Sequence, residues 1–182
     1  MRYAIVGVGN ILFKDEGIGI YAAKFLESNY SFSEGVEVID GGTLGFKLMR
    51  YYQDYDRVLI IDTVSIKDEP GAVYNLPSEA LLGLGSYRQT AHEVEVVEML
   101  EICSFLEKMA QVSVIGMVPE DIESVEISLS DSVKERFDLL INEILKELKQ
   151  EGVEIEKKGS KKIDEIINEY ANPSSLSREG FR

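Results

Sequence analysis

The chain has one cysteine, one histidine and a marked shortage of basic side chains in its 182 residues. A lone Cys103 excludes an internal disulfide and a thiolate-rich structural zinc site; set among apolar residues, it reads as a core side chain. Only 19 Lys and Arg stand against 33 Asp and Glu, giving a formal net charge of −14. Such a chain has no general attraction for phosphate backbones or anionic lipid, which argues against nucleic acid and membrane surfaces as partners. It contains no apolar run long enough to cross a bilayer, so membrane insertion is not expected. The start, MRYAIVGVGN, lacks the apolar core and cleavage site of a signal peptide, and the expectation is a soluble cytoplasmic protein. No internal repeat is visible.

An apolar content of 45% suits a single core. Tyr3 to Val8 reads as a buried strand running into the loop GVGNILFKDEG (7–17). Ile18, Tyr21, Ala22, Phe25 and Leu26 then recur at helical spacing, with Asp15 as a candidate cap. VEVID (36–40) is a second strand, GGTLG a turn, Phe46 to Tyr52 a helix, and RVLIID (57–62) a third strand, apolar as if covered on both faces. DEPGAVYNL carries a Pro-Gly turn and a short edge strand of undetermined direction. Val96, Met99, Leu100, Cys103 and Leu106 form a helical stripe, VSVIGM (112–117) another buried strand, and Val133, Phe137, Leu140, Ile141, Ile144 and Leu148 one long amphipathic helix ending near Gly152.

Alternating strands and helices predict an α/β domain over residues 1–150: a three-layer sandwich with a mostly parallel twisted sheet and helices on both faces. Residues 151–182 turn polar and read as a mobile or loosely docked tail with one weak helical stripe at Ile163, Ile166, Ile167 and Tyr170.

The opening loop resembles a phosphate loop, but the place where a dinucleotide fingerprint needs its third glycine holds Leu12, and no Gly-Lys-Ser or Gly-Lys-Thr follows. Asp40, at the end of the second strand, keeps a ribose-gripping reading open. Asp15 and Glu16 would repel phosphate at the helix start and suit a cation better. Ligands of open parallel sheets sit beyond the carboxyl ends of the strands, and Glu16, Asp40, Asp62 and His92 all map to that edge. Each has an ordinary structural explanation as well: Glu16 as a favourable charge for the helix dipole, Asp40 as a turn former before Gly41 and Gly42, His92 as a helix cap or surface residue. Asp62 is the hardest to explain so, because a carboxylate ending an apolar strand is costly to bury without a partner. Imidazole plus carboxylates would accept Zn, Ni, Mn or Fe and does not name the metal.

The ordered set GVGNILFKDEGIGI, DGGTLG (40–45), IIDTV (60–64), PGAV (70–73), His92, GMVP (116–119) and SLS (128–130) resembles the hydrogenase maturation endopeptidases over about residues 3–150. The resemblance implies an α/β fold and an enzyme that removes a C-terminal peptide from the large-subunit precursor of a nickel-iron hydrogenase after nickel insertion. It implies Glu16, Asp62 and His92 as a metal-binding triad for nickel supplied by the substrate, with no organic cofactor. Asp40 matches the acidic position of the family's D-G-G-T-x-G segment, with substrate positioning or direct participation in hydrolysis both open. Gln89, Thr90 and Ala91 before the histidine, and the extension beyond residue 150, depart from the family pattern. With its one histidine assigned to metal, the chain offers no serine or cysteine triad. Water is the expected nucleophile; the metal either activates it or only positions the peptide, and in the second case Asp40 or Asp62 is the general-base candidate. A nickel chaperone or assembly factor that binds the metal without cutting is the alternative.

Overall fold

The computed structural model describes residues 1–43, 47–83, 98, 101 and 109–173. In chain order these form β1 (Tyr3–Val8), a 3-10 turn (Lys14–Gly17), α1 (Ile18–Asn29), β2 (Tyr30–Phe32), β3 (Val36–Gly42), α2 (Leu48–Asp54), β4 (Arg57–Thr63), β5 (Val73–Pro77) and α3 (Ser78–Gly83). β6 (Gln111–Met117), α4 (Asp131–Glu135), α5 (Phe137–Gln150), β7 (Ile155–Lys157) and α6 (Ile163–Ala171) follow. His92, Cys103 and the helical stripe read between residues 96 and 106 lie outside the described residues.

Five strands form one sheet in the order β3-β1-β4-β6-β5. β1 pairs in parallel with both β3 and β4, and β4 in parallel with β6; only β5, at the edge, runs antiparallel, to β6. This is the mostly parallel α/β sheet that the apolar runs predict, and it fixes the direction of the strand that sequence left open. The sheet is covered on both faces. Tyr3, Ile5, Leu59 and Ile61 face α1, α5 and α6, and Ala4, Val6, Val58 and Ile60 face Leu48 and Tyr52 of α2.

β1 leads by way of α1 to β3 on one side of it, whereas β4 lies on its other side and the chain proceeds from there toward β6 and β5. The connections therefore diverge between the carboxyl ends of β1 and β4, the crevice where open α/β sheets bind ligands.

Two elements depart from expectation. The helix read from Val133 to Leu148 is two helices, with Arg136 between them at φ −101, ψ 7. Residues beyond Gly152 do not form a loose tail over their described length. β7 pairs antiparallel with β2, and the amide of buried Asn29 brackets Lys161, donating to its carbonyl at 3.0 Å and accepting from its N–H at 2.7 Å. Ile166 and Ile167 of α6 complete the apolar cluster under α1. The polar composition misleads because two buried isoleucines on one helical face, worth about 1.5–3 kcal/mol each on full burial, suffice to dock a helix already held at its start.

Candidate active site

Glu16 owes its place to the loop leaving β1. Gly9 stands at φ +147, and a Cβ there would lie 2.0 Å from the Glu16 carbonyl oxygen, so only glycine lets the loop fold back on the turn. That carbonyl accepts from the Asn10 N–H at 3.1 Å, and the Glu16 N–H donates to the Phe13 carbonyl at 3.1 Å. The turn then feeds α1, whose Gly19 presses on the sheet: an added Cβ would sit 2.2 Å from the Ile61 carbonyl oxygen and 2.3 Å from that of Val8. Half-buried Glu16 is thereby held over the ends of β1 and β4.

Asp15, read from sequence as a helix cap, does something else. The residue capping α1 is Gly17, without a side-chain hydrogen bond. The Asp15 carboxylate is fully buried, and its Oδ2 accepts from the N–H groups of Glu120 and Asp121, both at 2.9 Å, and from the Ser130 hydroxyl at 2.7 Å. Its Oδ1 accepts from the Ser130 N–H at 2.7 Å, and its own N–H donates to the Asp121 carbonyl at 3.0 Å. Four donors to one carboxylate satisfy a charge that burial would otherwise penalise. The turn beside Glu16 is thus pinned to the segment 120–130.

Asp62 ends β4 beside Gly116 of β6 and is only 2% exposed, with its Oδ1 accepting from the Thr63 N–H at 2.7 Å. By strand alternation it shares the α2 face with Val58 and Ile60. Asp40 stands elsewhere. It pairs with Gly7 and follows Val36 and Val38, which pack toward the α1 face, so its side chain emerges on the side of the sheet opposite to Asp62. There it is exposed, accepts from the Gly42 N–H at 3.1 Å and from the Tyr170 hydroxyl at 3.2 Å, and borders a cleft of about 340 Å³ with Lys24, Glu27 and Glu169. Burial, and then the Asp40 charge, push the Tyr170 phenol well above its usual range, which keeps it a hydrogen-bond donor.

Glu16, in the turn before α1, and Asp62, at the end of β4, thus lie near the carboxyl ends of neighbouring strands, and the Asp40 side chain emerges on the face of the sheet opposite to Asp62. Among the described residues no three His, Cys, Asp or Glu side chains form a metal cluster. A cation held by Glu16 and Asp62 needs a further ligand from outside them, and His92 is the candidate that sequence offers.

Known proteins share both the sequence pattern and this fold. A family model described as hydrogenase maturation protease matches residues 20–147. The chain belongs to the hydrogenase maturation protease family. Hydrogenase 2 maturation protease of Escherichia coli K12 is 32% identical over 156 residues, covering 85% of this chain and 94% of its own. The structure of the hydrogenase maturating endopeptidase HybD from E. coli superposes with a TM-score of 0.80 at 31% identity, over 87% of this chain and 98% of that one. The [NiFe] hydrogenase maturation protease HybD from Thermococcus kodakarensis gives 0.65 at 31% identity, over 81% and 99%. The fold of this protease family and its activity as a peptidase are those that the motif order implied.

Two residues that sequence reasoning passed over belong to this architecture. Ser130 was visible only as the end of the SLS motif, and its role as the donor to Asp15 depends on a contact 115 residues away. Tyr170 stood in the weak stripe of the supposed tail; its ring meets Tyr21 edge-on at 5.6 Å while its hydroxyl reaches Asp40.

Proposed function

We propose that this protease removes the C-terminal extension from the nickel-loaded precursor of a nickel-iron hydrogenase large subunit, completing its maturation in the cytoplasm. The observation that supports the reading is the placement of two acidic residues by the carboxyl ends of β1 and β4: Glu16, on a turn whose backbone is held by hydrogen bonds, and Asp62, buried at a strand end. Two carboxyl groups at one sheet edge suit a cation. With His92 it makes a mixed oxygen and nitrogen donor set compatible with nickel. The nickel is part of the substrate, so the triad recognises a precursor already loaded and holds the scissile bond beside the cleft.

Water attacks the scissile carbonyl, and a carboxylate of the enzyme takes its proton. Asp62 serves as that base only if it is not committed to the nickel. Asp40, across the sheet and hydrogen-bonded to Tyr170, suits positioning of the extended peptide where it passes over the strand ends. The test is the mass of the large subunit after incubation of purified enzyme with nickel-loaded precursor. Loss of the C-terminal peptide with wild type, and its retention with Glu16→Ala and His92→Ala, is the expected result. Tight nickel binding by the isolated protein with no change in precursor mass would instead make it a nickel chaperone.

A further inference from the structure

The described residues expose four large apolar side chains, Met1, Leu12, Val125 and Leu139. Leu12 and Val125 are 51% and 77% exposed, yet they lie on two segments stitched together. The Glu126 N–H donates to the Leu12 carbonyl at 2.9 Å, the Lys14 N–H donates to the Glu126 carbonyl at 3.0 Å, and Phe13 and Glu126 form a parallel bridge. Buried Asp15 pins the same two segments from beneath. The exposure of these aliphatic groups therefore does not come from a slack loop. They stand on a fixed platform, and its next turn carries Glu16.

We infer that Leu12 and Val125 form a docking knob for the large-subunit precursor, seating it beside the mouth where Glu16 and Asp62 lie. The occupant follows from continuity: the loop from β1 to Glu16 runs through Leu12, so a folded protein presenting its metal to Glu16 must lie against this loop. Scattered single apolar side chains are ordinary on a surface; Leu12 and Val125, each one residue before a partner of the parallel Phe13–Glu126 bridge, stand side by side in register and are placed for a contact core. The rim of the platform is acidic, with Glu120, Asp121, Glu123 and Glu126 against Lys14, whose ammonium already lies 3.7 Å from Asp121 and from Glu126. The complementary patch on the precursor is accordingly aliphatic with a basic border. This inference rests on the precursor being the substrate.

Steady-state cleavage of nickel-loaded precursor tests it with Leu12→Ser, Val125→Ser, their combination, and Leu139→Ser on α5 as a matched control. Each of the first two raises KM about tenfold with kcat within about twofold, the scale of removing one aliphatic anchor from a contact. Leu139→Ser and Leu12→Met leave KM unchanged. An unchanged KM in the double variant, a fall in kcat at constant KM, or an equal rise in Leu139→Ser would overturn the inference. Dissociation of an enzyme dimer by Leu12→Ser in sedimentation would overturn it too, making a second copy the occupant. If wild type binds the precursor without cutting it, the proposed function fails, while titration of the same variants with that precursor still decides the docking.

Discussion

Replacing Asp15 by Asn keeps the size of the side chain and removes its symmetry as an acceptor. Oδ2 takes three hydrogen bonds and Oδ1 one, all from fixed donors in a site with no solvent exposure. If the amide oxygen takes the place of Oδ2, the new NH2 group meets the Ser130 N–H, donor against donor. The other orientation sets it against three donors and is worse. Loss of one charge-assisted hydrogen bond costs about 1.5–3 kcal/mol, and an unsatisfied buried donor about 1–3 kcal/mol, with overlap between the two. The variant is therefore expected to lose about 2–4 kcal/mol, or roughly 5–15 °C in Tm for a chain of this size. Ser130→Ala removes only the hydroxyl donor and should cost about 1 kcal/mol. Urea unfolding followed by circular dichroism measures both. An Asp15→Asn variant within about 0.5 kcal/mol of wild type, well below the loss of even one such hydrogen bond, would refute the anchoring of the Glu16 turn.

Further expectations follow from the same geometry. Ile166→Ala, at a fully buried position of α6, should cost about 2–5 kcal/mol in the same assay, whereas a side chain on a detached tail would cost nothing measurable. Tyr170→Phe keeps the ring against Tyr21 and removes the hydrogen bond to Asp40, at a cost of about 0.5–1.5 kcal/mol that should vanish in an Asp40→Ala background; equal costs in both backgrounds would contradict the pairing. The Asp121 carboxyl is held down at about 2 by the Ser124 hydroxyl, by the N–H groups of Ser124 and Glu123, and by Lys14. Because its folded value is depressed from 3.8, its contribution is complete above about pH 4 and is lost as pH falls toward 2. A carboxyl NMR titration with a midpoint near 4 for Asp121 would contradict this.

What sequence made legible is what depends on local pattern. Continuous apolar runs such as RVLIID announce strands buried on both faces, and alternation with helical stripes announces the parallel sheet. The carboxyl-edge rule maps Glu16, Asp40, Asp62 and His92 to one sheet edge; the first three lie by strand ends, and His92 falls outside the described residues. The face of Asp40 is not local: it depends on pairing β3 with β1 and on which helices cover each side, and a shift of one residue would reverse it. Asp15 reads as a cap because a short polar residue before a helical stripe usually is one; its donors lie more than 100 residues further along the chain, beyond any periodicity. The docking of α6 escapes for a related reason. Its stripe of Ile163, Ile166, Ile167 and Tyr170 is readable, but the surface that receives it is made by the side chains of α1, which a count of polar residues does not register.

In the proposed function, the enzyme recognises a precursor through the nickel that the precursor carries. The most direct test incubates the purified protein with the same large-subunit precursor in nickel-loaded and nickel-free form and follows the mass of the large subunit over time. Loss of the C-terminal peptide from the loaded form alone is the predicted result. Cleavage of both forms at equal rates would contradict the account.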